Sequence, residues 1–320
     1  MRVCTLYEGG REVVALVPED GNPVQLLDAW CAANLKESAC PESMLDLIEQ
    51  GRGMKPLLEK AFEQACSGTL PEIEEPHWCP PLVRPSKVVG VMMNDATEIE
   101  RAKIKPEGPL FFLKAPSTLL GHGKTVLIRP SYGRTHPSAQ LAVIIGRKSK
   151  DVSESKALDV VFGYSVMNDV TSLGLATKDT LHLLAGGEEL TQAEAGSAQV
   201  HFASHARSKN TDTFGPFGPW IVTADEVADP NNLSVKIWMG EEACTEDQTS
   251  DFMYSVEEVI SKLSRSMTLE PGDVIQMGMP GMGSQAAKAI DFQDRLGPTS
   301  IEIEKIGTLT NPIALIVGEL

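Results

Sequence analysis

Beyond its first quarter, the chain breaks into apolar runs too short for helices and regularly punctuated by turn-forming residues. Val88 to Met93, Leu110 to Lys114, Val126 to Arg129 and Leu141 to Ile145 are such runs. Gly121-His122-Gly123, Pro130-Ser131 and Gly133 lie between them. Continuous apolar stretches of this length suit strands buried on both faces. Many short strands with turn signals require a β-rich core. Helical spacing reappears at Ser153 to Val161 and Val256 to Leu263, where helices are expected.

The opening of the chain has another texture. Arg2 to Tyr7 and Val13 to Val17 flank Glu8-Gly9-Gly10, which reads as a hairpin. Val24 to Ala33, Ser43 to Gln50 and Met54 to Ala65 space apolar residues by three or four, the helical pattern. Pro80-Pro81 and Pro85 then forbid a helix across them. The expected class is α+β, with a small N-terminal α/β domain over residues 1–80 and a mixed-sheet core over 81–320. Within the latter, Leu175 to His205 is polar and rich in small residues, and carries His182, His201 and His205 with Glu188, Glu189 and Glu194. It reads as part helix and part loop or lid.

Charge narrows the function. Lys plus Arg number 28 and Asp plus Glu 44, a net charge of −16. Such a surface repels phosphate backbones and anionic lipid, so the expected partner is a small molecule rather than nucleic acid or membrane. The 6 cysteines form no CxxC pair and no zinc spacing, and free thiols are expected. No basic segment followed by an apolar stretch opens the chain, and no apolar run is long enough to span a bilayer. A cytoplasmic location is the simplest expectation.

Six segments then occur in order: Phe111-Phe112-Leu113-Lys114-Ala115-Pro116-Ser117, Leu141 to Gly146, Gly163-Tyr164-Ser165-Val166-Met167-Asn168-Asp169-Val170, Lys209 to Trp220, Thr268 to Ile275 and Ile306 to Pro312. Together they resemble the fumarylacetoacetate hydrolase family, whose motifs include F-x-K-x-x-S, E-L-A-V-V-I-G, G-Y-x-x-x-N-D-V and K-x-x-D-T-F-x-P-x-G-P-W. The resemblance covers about three quarters of the chain. It implies a β-roll-like core, a homodimer or larger homo-oligomer, and chemistry beside a carbonyl on 2-oxo acids, β-diketones or enols. In that family a divalent cation chelates the oxo-acid oxygens, a His–Glu pair moves protons, and lysine holds developing negative charge.

The chain departs from the family where that chemistry sits. The E-x-E pair, whose carboxylates would share one strand face, reads Ser138-Ala139-Gln140, while Asp169 is kept. One carboxylate with a hydroxyl and an amide makes a poor magnesium site. His136 with Asp169 could hold a softer ion such as zinc or manganese. Thus no cofactor is expected, with Mg2+ or Mn2+ if the family site is partly retained. The family's histidine position falls on Ala96; Glu98 or Glu100 either serves as a base or is a solvated helix-start charge. Met92 and Met93 stand for an Asn-Tyr pair, and Met277-Gly278-Met279-Pro280 for T-G-T-P. These methionines either line an apolar cleft or fill the core.

Three retained polar groups, Lys114, Asp169 and Lys209, are the candidate catalytic residues. Met92, Met93, Asn168, Met277 and Met279 are the candidate substrate-binding residues. Lys209 either faces the cleft or merely pairs with Asp212. His122 reads as a surface turn residue, and His182, His201 and His205 could supply a replacement acid or base. Three functional readings follow. The first is an enzyme acting on a hydrophobic β-dicarbonyl, 2-oxo acid or enol without the standard cation, by C–C hydrolysis, decarboxylation, isomerisation or cyclisation. The second is a non-catalytic binding or assembly protein of this fold. The third is a metal-dependent acylpyruvate-type hydrolase, should the motifs be misaligned.

Overall fold

The computed structural model describes residues 1–18, 24–27, 40–67, 72–73, 75–95, 106–184, 199–202, 204–280 and 283–316. Two sheets dominate it. The larger has 11 strands, and from its middle to one edge run Gly215–Thr223, Val161–Asn168, Ala139–Ile145, Val274–Gln276, Val88–Met92 and Leu110–Lys114, in that spatial order. The second has 5 strands, ordered Glu242–Gln248, Ser234–Met239, Pro298–Ile303, Gly307–Leu315 and Val126–Ile128. Both mix antiparallel and parallel pairs: Val274–Gln276 runs parallel to Val88–Met92, and Gly307–Leu315 parallel to Val126–Ile128. The class is α+β.

The expected both-sided burial is met in Ala139–Ile145. Successive side chains of a strand point to opposite faces. Leu141, Val143 and Ile145 enter the main core, with Ile237, Ile301 and Leu309 of the second sheet. Ala142 and Ile144 enter another cluster, with Leu47, Ile48 and Leu58 of the N-terminal helices. A strand covered on both sides has no polar face, which is why its sequence reads as an unbroken apolar run. The helix Val256–Ser266 closes the main core with Val259, Ile260 and Leu263. Ser255 and Glu258 form its capping box, satisfying backbone donors at its start.

The N-terminal hairpin is present as Arg2–Glu8 and Arg11–Leu16, joined by Gly9 (φ 56°) and Gly10 (φ 85°). Two successive positive φ values define a turn whose twist matches its strands. Arg2 and Val3 then pair with Val222 and Ile221, so the hairpin continues the large sheet. The expected helices near 43–50 and 54–65 are Met44–Gln50 and Lys55–Cys66. The expected helix from Val24 fails at its start: Val24–Leu26 is a strand, paired to Leu16 on one side and to Ile73 on the other. An open sheet edge offers those backbone groups partners, which outweighs local helical spacing. The remainder of that expectation, 28–33, lies outside the described residues. The segment expected as helix over 153–161 divides into Glu154–Ala157 and the 3-10 turn Leu158–Val160. Of the expected lid, Leu173–Lys178 is helical and Leu181–Leu184 pairs with Gln199–Phe202 as a hairpin; 185–198, with Glu188, Glu189 and Glu194, lie outside the described residues. No disulfide joins the described cysteines Cys4, Cys40, Cys66, Cys79 and Cys244 to one another. No described helix is long and apolar enough to cross a membrane.

The sheet brings distant residues together. Ala139 pairs with Asn168, so Ser138 and Asp169 meet just past the ladder, where the Asp169 N–H donates to the Ser138 carbonyl at 2.9 Å. Gly90 pairs with Phe112, and a Cβ on Gly90 would stand 2.1 Å from the Phe112 Cζ. The missing side chain leaves room for that ring. Gly90→Ala is expected to displace the ring and destabilise the protein by about 1–3 kcal/mol, the usual cost of overpacking, read as a lower denaturation midpoint in urea.

Candidate functional site

Three elements converge on Asp169, which is 2% exposed. Lys114 ends the strand Leu110–Lys114, Asp169 follows the strand Val161–Asn168, and Lys209 ends the short helix Ala206–Lys209. The Lys114 Nζ donates to Asp169 Oδ1 at 2.9 Å and to the Lys209 backbone carbonyl. The Lys209 Nζ donates to Asp169 Oδ2 and, at 2.8 Å, to Thr171 Oγ1. Both carboxylate oxygens therefore hold an ammonium. The Lys209 Nζ also lies 5.1 Å from the centre of the Phe112 ring, within range of a cation–π contact. Lys209 thus pairs with Asp169 and Thr171, while Asp212 lies exposed.

Burial acts on the titration of Lys114 and of Asp169. It pushes the Lys114 ammonium below its ordinary value; Asp169 opposes that shift and Lys209 adds to it. Burial works to raise the Asp169 carboxyl, yet the two lysines outweigh it and hold the group below its ordinary value. Asp169 is therefore an anion fixed between two cations.

The positions of the lost carboxylates are engaged in a different network. The Gln140 Nε2 donates to Ser138 Oγ at 2.8 Å, and its Oε1 accepts from the Gly278 N–H at 2.7 Å. Asn168 Oδ1 accepts from the Ser138 N–H at 2.9 Å. These buried groups satisfy one another, as buried polar groups must. Among the described residues there is no cluster of three or more His, Cys, Asp or Glu able to hold a metal ion. The donors around Asp169 do not fit a divalent cation: its oxygens hold ammonium groups, and Ser138 and Gln140 are neutral and bonded to each other.

His136 contributes less to a metal site than its spacing suggests. Its Nδ1 lies 2.8 Å from the Pro137 carbonyl, and its buried Nε2 meets no hydrogen-bond partner. It pairs across the ladder with Thr171, the residue whose hydroxyl accepts from Lys209. Burial pushes its imidazole down to about 4, with Lys209 and Lys288 acting the same way and Asp169 and the Pro137 carbonyl opposing. His205, one turn before Lys209, also has a buried Nδ1 without a partner. His122 is half-buried rather than a surface residue: its Nδ1 accepts from the Thr310 N–H at 3.1 Å, and its ring stands edge-on to Trp78.

The methionines divide. Met277 is fully buried in the main core, and Met279 is 9% exposed against the same cluster. Met277 takes part in the local network through its backbone carbonyl, which accepts from Asn94 Nδ2 at 2.7 Å. Met92 is half-buried, and Met93 is exposed with a φ of 56°, an uncommon conformation for a non-glycine residue. Ala96, Glu98 and Glu100 lie outside the described residues, as do the side chains of His182 and His201. Sequence reasoning missed Thr171, Asn94 and the Gln140–Gly278 bridge. Thr171 had a signal: it stands two residues after Asp169 in the run leaving the strand. A separate hollow of about 710 Å³, lined by Leu58, Arg147, Phe162 and Asp225 among others, lies at the far end of the strand Val161–Asn168 and includes none of these site residues.

His136 supplies a pH dependence. Its folded-state value near 4 lies below the ordinary 6.5, so the unfolded chain binds the extra proton first. The neutral ring's contribution is fully present above 6.5 and is lost as pH falls towards 4, an effect on the order of 3 kcal/mol. Urea midpoints measured between pH 7.5 and 4.5 are expected to fall more steeply in the native protein than in His136→Asn.

Comparison with known proteins identifies the family. The model of the fumarylacetoacetate hydrolase C-terminal domain matches residues 87–314. A mitochondrial oxaloacetate tautomerase of Bos taurus is 28% identical over 296 residues, covering 92% of this chain and 86% of its own. The crystal structure of maleylpyruvate hydrolase from Sphingobium sp. SYK-6, in complex with manganese(II) and pyruvate, superposes with a TM-score of 0.72 at 25% identity, covering 98% of this chain and 99% of that one. Fumarylacetoacetate hydrolase from Exiguobacterium antarcticum gives a TM-score of 0.74 at 25% identity, covering 99% and 100%. These relatives are a tautomerase and two hydrolases, and the chain belongs to the fumarylacetoacetate hydrolase family.

Proposed function

We propose that this protein is an enzyme that acts beside a carbonyl on a hydrophobic 2-oxo acid, β-dicarbonyl or enol substrate, and does so without a divalent cation. The observation that carries this reading is the Asp169 carboxylate held between Lys114 and Lys209. The maleylpyruvate hydrolase structure holds manganese(II) and pyruvate, and a dication in general can polarise a carbonyl oxygen. In this chain the accessible positive group is the Lys209 ammonium, and its side chain is 12% exposed whereas that of Lys114 is sealed. Lys209 meets the substrate's carbonyl or enolate oxygen, where a fixed positive group lowers the cost of developing negative charge. Asp169 and Thr171 aim Lys209, and Lys114 holds Asp169. The half-buried Met92 and exposed Met93 give the substrate's apolar end adaptable contacts. C–C hydrolysis, decarboxylation, isomerisation and cyclisation all pass through such an enolate.

A non-catalytic role would leave the strained Met93 backbone and the two-lysine cluster without purpose, and favours no particular observation. The metal-dependent reading requires a misaligned strand. The pairing of Ala139 with Asn168, which sets Ser138 beside Asp169, argues against it.

Turnover of oxaloacetate enol and of simple acylpyruvates is expected to survive prolonged treatment with a chelator. Loss of activity on chelation, restored by Mn2+, would sink the metal-free mechanism. Lys209→Met is expected to lower kcat by about 10²–10³, the effect typical of removing one oxyanion-stabilising donor. Conversely, the double change Ser138→Glu with Gln140→Glu is expected to create tight stoichiometric Mn2+ binding, measurable by metal analysis after dialysis, that the native chain lacks.

A further inference from the structure

The cluster around Asp169 holds two amines against one carboxylate. With both amines protonated it carries one net positive charge in a buried setting, with the Phe112 ring as one wall. Desolvation and a neighbouring cation are the two conditions that turn a lysine amine into a nucleophile. Burial already pushes the Lys114 ammonium below its ordinary value. Lys114 cannot meet a solute, because its side chain has no exposure and its Nζ donates to Asp169 and to the Lys209 carbonyl. Lys209 can, since its side chain reaches the surface of the site.

The chemistry has a matching requirement. Breaking a bond beside a carbonyl leaves an electron pair that some group must accept. The donors around Asp169 do not fit a divalent cation, whereas a protonated carbon–nitrogen double bond is an electron sink that needs none. We propose that Lys209 forms a Schiff base with the ketone carbon of a 2-oxo or 3-oxo acid substrate. This covalent route rests on the enzymatic reading above and specifies how the same amine acts.

The step balances within the cluster. The Lys209 ammonium gives one proton to Asp169, which is already hydrogen-bonded to it. The freed amine pair forms a bond to the ketone carbon, and the carbonyl π pair moves to oxygen. Asp169 returns this proton to the oxygen, then takes a second proton from the nitrogen and passes it to the resulting hydroxyl, which leaves as water while the nitrogen lone pair supplies the second bond to carbon. An ammonium and a ketone thus become an iminium and water, with total charge unchanged. The bond beside the iminium then breaks, releasing a proton or carbon dioxide, and its electron pair gives an enamine. Protonation on carbon and attack by water restore the ketone product and Lys209. Lys114 is a positioning residue: it fixes Asp169 Oδ1 and leaves Oδ2 to serve Lys209.

The test is reductive trapping. The full-length protein is incubated with pyruvate and, separately, with a 2,4-dioxo acid in the presence of cyanoborohydride, then weighed intact and mapped by peptide. One reduced adduct per chain is expected, on Lys209, and absent from Lys209→Arg. Asp169→Asn is expected to slow trapping by about a hundredfold, through loss of the proton carrier. The native protein's peptide map decides the matter even if a variant fails to fold. Turnover without an adduct on Lys209 overturns the Schiff base and leaves the non-covalent enzyme standing. An adduct spread over surface lysines, equal in Lys209→Arg, also overturns it. An adduct on Lys209 without turnover supports it and counts against the wider enzymatic reading; neither adduct nor turnover defeats both.

Discussion

Asp169 lies between two ammonium groups, and the surrounding residues make sense once that constraint is stated. A buried carboxylate is costly unless it is paired, and so is each buried ammonium. The three charges come from a strand end, a loop and a short helix that are far apart in sequence. Their meeting depends on the ladder that ends at Ala139 and Asn168, and on the strand that ends at Lys114. Removing one lysine leaves an uncompensated arrangement only if the other cannot adjust. Removing Asp169 leaves two like charges facing each other. The cluster is therefore asymmetric: its carboxylate is the member neither lysine can do without.

Close to this cluster lies a polar chain of the opposite character. Gly278, Gln140, Ser138 and Asn168 exchange hydrogen bonds among neutral groups. A carboxylate at position 140 could still accept from Gly278 but could not donate to position 138. The amide can do both, because it carries a donor and an acceptor. Gln140 consequently ties the strand Ala139–Ile145 to the loop at Met277–Met279, and Asn94 ties that loop to Tyr254. Neutral hydrogen bonds thus connect the elements at this end of the sheet.

Much of this was legible from the sequence, and the unread part has a common cause. The unbroken apolar run Leu141 to Ile145 announced a strand buried on both faces, because burial dictates composition directly. The ordered motifs carried the fold and drew attention to Lys114, Asp169 and Lys209 as retained polar groups. The spacing could not tell which partner each lysine takes. Lys209 has Asp212 three residues away, yet it pairs with Asp169 and Thr171, which reach it only through the fold. Met277 looked like a cleft residue because of its motif, but the same motif gives only the backbone path; its side chain turns into the core. Val24–Leu26 followed an open sheet edge rather than its own helical spacing. Each miss is a long-range interaction overriding a local signal.

The family resemblance also permits an argument about charge. A site of the usual kind holds the E-x-E pair, the aspartate, two lysines and a dication. This chain lacks the two glutamates, at Ser138 and Gln140, and its remaining donors do not fit the dication. A site without both the glutamates and the dication would lack two negative charges and two positive ones together, so its net charge would equal that of the usual site. A site that lost only its carboxylates would carry an excess of positive charge; one that lost only its metal would repel an anionic substrate. On the metal-free reading proposed above the loss is balanced: the field that would draw in an oxo acid is preserved and the Lewis acid is not used. On that reading the positive charge is carried by a lysine nitrogen, which unlike a metal ion can also make a covalent bond to carbon.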